Sequence, residues 1–193
     1  MSTIDKAKST DNVSAGLVAG TRSTENALAL GQFNFECIGA DGKVKWTDSV
    51  PNLVVNVGLA YMAGSALTSV TAITAWYVGI YGAGASNTPA AADTMSSHAG
   101  WTEVVPYSNA TRIACTFVTA TTANPSVATN SASPAAFSIN ATSTVGGAFL
   151  TSGSAKSGTT GTLFSASDFS SPGDRSVTSG DTLNVTYTMS LAG

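Results

Sequence analysis

The strongest constraint on the fold is an alternation of apolar and polar residues near the end of the chain. Between residues 182 and 191 the polar side chains Asn, Thr and Ser alternate with apolar ones, which are Leu183, Val185, Tyr187, Met189 and Leu191. Since successive side chains of a β-strand point to opposite faces, this segment predicts a strand with one face in a core. Its other face is coated with hydroxyl and amide groups.

The same two-residue period recurs earlier in the chain. Residues 33–37 and 44–46 alternate in this way around an Asp41-Gly42 turn, which predicts a β-hairpin. Further strands, separated by turn signals, are predicted at residues 75–81, 112–119, 135–141, 144–151 and 162–166.

A single helix is predicted over residues 53–67, with Asn52 as its N-cap. About eight strands and one helix indicate a mainly β chain. We therefore expect an antiparallel β-sandwich, of jelly-roll or related Greek-key wiring, with one short helix.

Charged side chains are few and unevenly placed. Of the 193 residues only 19 are charged, and 11 of these lie in the first 48, whereas Ser and Thr number 26 and 27. The net charge of −3 provides no basic field for a phosphate backbone, so we expect no direct contact with nucleic acid. The chain has no run of 18 apolar residues and its start lacks the apolar core of a signal peptide. We therefore expect a protein made in a cytosol, without membrane contact.

The beginning of the chain differs from the rest. Residues 1–27 show neither a helical nor a strand period, and their scattered apolar residues cannot form a core. We predict an extended N-terminal arm over residues 1–30 and a β-sandwich domain over residues 31–193. An arm without a core is ordered more easily on another protein than alone. The candidate partner contacts are apolar or basic residues of the arm and one loop aromatic, namely Ile4, Val13, Leu17, Val18, Arg22 and Trp101.

Side chains capable of catalysis are scarce. Asp93, His98 and Glu103 fall within one predicted loop, but no metal-ligand spacing supports a site there. The more ordinary interpretation is that Asp93 and His98 bind the backbone of their own loop. Cys37 and Cys115 occupy apolar phases of alternating segments, which indicates buried free thiols. We expect no enzyme activity, no catalytic residues, no cofactor and no metal.

Several motifs resemble a family of small virion proteins of tailed bacteriophages. They are Trp76-Tyr-Val-Gly-Ile80, Ala92-Asp-Thr-Met-Ser-Ser-His-Ala-Gly-Trp-Thr-Glu103, Tyr107-Ser-Asn-Ala-Thr-Arg112 and Ser179-Gly-Asp-Thr-Leu-Asn-Val-Thr-Tyr187. The segments Phe33 to Trp46 and Asn52-Leu53-Val54 fit the same family, so the resemblance covers about Gly31 to Leu191.

The resemblance implies a head cement or decoration protein with a jelly-roll-like core, located in the virion. Its implied partners are the major capsid protein and neighbouring copies of itself, and it implies no catalytic residue. The alternative is a tail, fibre or other appendage component that binds a receptor or glycan, in which case Trp101 would be exposed in a groove.

Overall fold

The computed structural model describes residues 28–82, 88–169 and 173–193. These residues form one helix, α1 (Asn56–Leu67), and eleven strands: β1 (Leu28–Ile38), β2 (Val44–Val54), β3 (Trp76–Gly82), β4 (Glu103–Val104), β5 (Ile113–Cys115), β6 (Ser126–Thr129), β7 (Ala135–Ser138), β8 (Ser143–Thr151), β9 (Leu163–Asp168), β10 (Arg175–Val177) and β11 (Thr182–Ala192). All the strand pairings among them are antiparallel. The predicted mainly β, sandwich-like fold with one short helix is confirmed.

The longest ladder joins β1 to β11. It runs without a break from the pair Leu28 and Ala192 to the pair Ile38 and Thr182. Because the strands alternate, Phe33 and Tyr187 lie opposite each other in the core, with ring centroids 4.7 Å apart. The ladder begins at Leu28, so the sheet includes the last three residues that we had assigned to the arm.

The β1–β2 hairpin closes at the predicted turn. Gly42 has a φ of +76°, which a glycine adopts without a steric penalty, and Asp41 accepts a hydrogen bond from the Lys43 backbone N–H at 3.1 Å. The alternating pattern therefore determines which face of this hairpin is buried, and the Asp41-Gly42 turn determines where the hairpin closes.

Strand β2 belongs to both halves of the sandwich. One half contains β1, β6, β7 and β11, and the other contains β3, β4, β5, β8, β9 and β10. Residues up to Pro51 pair with β1, and residues from Asn52 onwards pair with β9. The order of neighbouring strands is β4-β3-β8-β9-β2-β1-β11-β6, with β5 beside β3, β7 beside β11 and β10 beside β8. The two ends of this order approach each other, because Tyr107 forms a bridge with Ile139 and the Val118 N–H donates to the Thr129 carbonyl at 2.9 Å.

The main core lies between the two halves. It consists of aromatic and aliphatic side chains from both, among them Phe33, Phe35, Ile80, Phe137, Leu150, Leu183 and Val185. A smaller second core lies on the other side of β3 and β8, where Tyr81, Phe149, Trp101 and Met95 pack together.

The helix begins later than predicted, because Asn52 is part of the sheet and is not a cap. Asn52 pairs with Ser167 of β9, and Val55 holds the N-cap position without a side-chain cap bond. Gly58 explains the placement of α1. A Cβ atom at Gly58 would lie 2.2 Å from the carbonyl oxygen of Phe164, so glycine lets the helix approach the backbone of β9.

Several predicted strands are shorter in the structure, and three short strands were not predicted. Residues 112–119 contain only the three-residue β5, and residues 135–141 contain the four-residue β7. Strand β6 lies between two of the predicted strands, and β4 and β10 were not predicted either. These elements are held by pairing with neighbours, since two to four residues are too few to show a period.

Candidate functional site

An open apolar groove lies between α1 and the outer end of the β1–β11 ladder. Its volume is about 670 Å³, and its walls come from α1, β1, β11, β6 and the residues after β5. Its lining includes Ala29, Leu59, Ala66, Phe117, Met189 and Leu191. Concave apolar surfaces of this size are typical of binding sites.

The wall formed by the ladder is a continuation of the core-facing side of the sheet. Ala29 pairs with Leu191, and four pairs further along, on the same face, Phe33 pairs with Tyr187. Along one face the side chains therefore pass from a buried core into an open groove. At the Ala29–Leu191 end, the β1–β11 ladder therefore extends beyond the side chains that cover its inner face.

The opposite wall and the floor are apolar and aromatic. Leu59 and Ala66 of α1 line the groove, and both are exposed. At the floor, Trp76 packs edge-on against Phe164 with ring centroids 5.3 Å apart, and Phe164 packs edge-on against Tyr187 at 6.5 Å. These packed rings form the floor of the groove.

The polar groups near the floor are neutral. Asn52 Nδ2 donates to the Tyr187 hydroxyl at 2.9 Å, and burial raises the pKa of Tyr187 to about 12. Gly31 makes room for this bond, since a Cβ atom there would lie 2.3 Å from Asn52 Oδ1. The groove therefore suits an apolar occupant better than a charged one.

The outer face of the same ladder end is also apolar. Leu28 and Leu30 alternate with the groove-lining Ala29, and their exposed fractions are 55% and 59%. Two neighbouring leucines on an otherwise hydroxyl-rich face form a patch that an interaction would cover. We call the groove together with Leu28 and Leu30 the apolar end.

Trp101 is not available as a partner contact or as a sugar-stacking platform. Only 2% of its surface is exposed, and its Nε1 donates to Asp93 Oδ2 at 2.8 Å. The ring stacks on His98 with centroids 4.0 Å apart and also packs against Phe149. The loop folds inward here to complete the second core, so the expectation of an exposed Trp101 is corrected.

Asp93 and His98 bind their own loop, as the sequence indicated. Asp93 accepts from the Ala90 N–H at 2.9 Å, and His98 Nδ1 lies 2.9 Å from the Trp101 carbonyl oxygen. Glu103 is bound elsewhere, to Arg112. The three loop residues thus take part in separate structural bonds.

Glu103 and Arg112 form a buried ion pair. Arg112 Nε lies 3.0 Å from Glu103 Oε1, and Arg112 Nη2 lies 2.7 Å from Glu103 Oε2. The exposed fractions of the two side chains are 1% and 6%. Two further Arg112 N–H groups donate to the carbonyls of Gly153 and Gly158, each at 2.8 Å. The pair therefore fastens the loop after β8 to the domain.

Both cysteines are buried and free, as predicted. Burial, followed by the charge of Asp181, raises the pKa of the Cys37 thiol to about 11. Although burial acts in the opposite direction, hydrogen bonds from Lys45 and Thr178 lower the pKa of Asp181. Within the described ranges no group of three or more His, Cys, Asp or Glu side chains could hold a metal ion.

The arm candidates Ile4, Val13, Leu17, Val18 and Arg22 lie outside the described residues. The sequence interpretation also missed the groove, whose residues come from eight separate parts of the chain. Two signals pointed to it: the run Ala27-Leu-Ala-Leu30, which is apolar on both faces of a strand, and a helix with apolar residues all round.

No helix among residues 28–82, 88–169 and 173–193 has both the length and the apolar character needed to span a membrane. No protein-family model matches the chain, and comparisons with curated proteins and with solved structures found no match.

Proposed function

We propose that this protein is a virion structural protein of a tailed bacteriophage that binds the outer surface of the head and stabilises the shell. The proposal joins the motif resemblance between Gly31 and Leu191 to the apolar end of the domain. Its partners would be the major capsid protein and neighbouring copies of itself.

The observation that carries the proposal is the position of the apolar end. Strand β1 starts there, so the chain before Leu28 is joined to the domain beside the groove. The groove and the connection to the N-terminal segment are therefore at the same place on the domain. When both engage adjacent subunits, the second contact is effectively intramolecular, and modest contacts combine into durable attachment.

Polar side chains that could act in catalysis are instead engaged in structural bonds, which supports a binding role. Glu103, Arg112 and Asp93 all take part in structural bonds that hold loops to the sandwich. The groove is apolar, and its nearby polar groups are neutral. Such a surface can supply contact area to a protein partner but few groups for acid and base chemistry.

The test uses heads that lack the protein and measures how many copies bind. A variant without residues 2–27 should show much lower occupancy than the full chain. Leu191→Lys, which places a charge in the groove, should lower the apparent affinity at least tenfold, on the order of 1.4 kcal/mol. Undiminished occupancy of both variants would refute attachment through this end of the molecule.

A matched control is available at the opposite end of the β1–β2 hairpin. Val44 is 54% exposed, compared with 44% for Leu191, and Val44→Lys introduces the same charge far from the groove. This variant should bind heads as the full chain does. Labelling intact virions then locates the protein, and label on the tail or fibres would favour an appendage role over the head.

A further inference from the structure

The apolar end has more uncovered surface than one segment can cover. Ala29, Met189 and Leu191 face the groove on the inner side of the ladder, whereas Leu28 and Leu30 project from the outer side. A segment lying in the groove would leave the two outer leucines in water. A neighbouring molecule packed against the ladder end can cover both sides.

The chain itself contains a segment that matches the groove. Among residues 1–27 the apolar side chains concentrate in residues 13–19, Val-Ser-Ala-Gly-Leu-Val-Ala, which carry no charge. Charged residues flank this run, at Asp11 before it and at Arg22 after it. Extended, seven residues span about 23 Å, and their small side chains suit a groove lined by alanines and leucines.

We propose that the groove of one molecule receives residues 13–19 of a second copy of this chain. Leu17 and Val18 would lie against the α1 wall, and the body of the second copy would cover Leu28 and Leu30. This inference deepens the proposed function and rests on it for the arrangement of copies side by side. The interaction links neighbouring copies to one another, and it adds to the contacts that the same end of each copy makes with the shell.

Direction of the chain favours exchange between copies. Strand β1 runs from Leu28 towards the core, so the chain before Leu28 is joined to the domain at the ladder end. To enter its own groove the chain would have to reverse within residues 20–27. A second copy can approach from outside without that reversal.

The test uses cysteines placed on separate chains of the full-length protein. Ala66 lines the groove and is exposed, so a tagged Ala66→Cys variant is mixed with an untagged Val18→Cys variant and treated with a short bismaleimide. The native Cys37 and Cys115 are buried and should not react. The proposal predicts a covalent tagged–untagged dimer, at least five times more abundant than in the control.

The control pairs Val18→Cys with Thr159→Cys, an exposed position in the loop after β8. Adding Leu191→Lys to the Ala66→Cys chain should reduce the dimer to the control level. Heterodimer yield no higher than the control, at protein concentrations up to about 1 mM, would overturn the proposal. So would crosslinking of a Val18→Cys, Ala66→Cys double variant only within single chains. Either result can occur while head binding is retained, so it would leave the proposed function standing.

Discussion

Removing the carboxylate of Glu103 should destabilise the fold more than any other single loss of charge described above. In Glu103→Ala the Arg112 guanidinium stays buried and charged, but two of its N–H groups lose their acceptor. The Ser157 N–H, which donates to Glu103 Oε2 at 2.7 Å, loses its acceptor as well. Breaking a buried ion pair in this way typically costs about 3–5 kcal/mol.

A double-mutant cycle separates the pair from the rest of the environment. Arg112→Met removes the opposite charge and also leaves the Gly153 and Gly158 carbonyls without their donor. The double variant Glu103→Ala, Arg112→Met buries no charge, so it should lose about 2 kcal/mol less than the sum of the two single variants.

Urea denaturation followed by circular dichroism measures these free energies of unfolding. For a domain of this size, a loss of 3–5 kcal/mol lowers Tm by about 6–20 °C. Lys43→Ala is the control, since it breaks an exposed pair at 3.9 Å and should change stability by less than about 1 kcal/mol. A Glu103→Ala loss below about 1 kcal/mol, or simple additivity in the cycle, would refute the reasoning.

Three other perturbations test separate parts of the structure. Gly58→Ala should destabilise the fold by about 2–4 kcal/mol, because its Cβ atom would meet the β9 backbone. Gly64→Ala is the control: the nearest atom there belongs to the movable Val70 side chain, and the gain in helix propensity should leave thermal stability nearly unchanged. Burial raises the pKa of the Cys115 thiol from 9.0 to about 12, so the free energy of unfolding should fall as pH rises across that interval, because the unfolded thiol ionises first. Cys115→Ala should make this fall less steep but not remove it, since the pKa values of Cys37 and Tyr187 are also raised in the folded state. Trp101→Phe removes the donor to the buried Asp93 and should cost about 1–3 kcal/mol in guanidinium denaturation without changing head occupancy.

Strands with a long alternating pattern were predictable, because the pattern directly reports which face is buried. Phe33, Phe35 and Cys37 point inward from β1, and Leu183, Val185 and Tyr187 do so from β11, in the phase that the sequence indicates. The Asp41-Gly42 turn was equally visible, since only a few residue types favour its backbone conformation.

What escaped the sequence depends on contacts between distant segments. Asn52 looked like a helix cap, but pairing with Ser167 of β9 keeps it in the sheet. Trp101 looked like a loop aromatic, because a loop has no period that reveals burial, and only its bonds to Asp93 and His98 show that it turns inward. The groove is assembled from eight parts of the chain, so local patterns could indicate an apolar strand end and an apolar helix but not that they line one groove.

Because β2 changes partners at Pro51, the two sheets share one continuous piece of backbone. Loosening either sheet must disturb the hydrogen bonds of the other, so partial opening is penalised and the domain should come apart as a single cooperative unit. In hydrogen exchange, the slowest amides of β1 and those of β9 should then report a common opening free energy, although they lie on opposite layers. A protein built in this way would pass a mechanical load at one surface across its whole width.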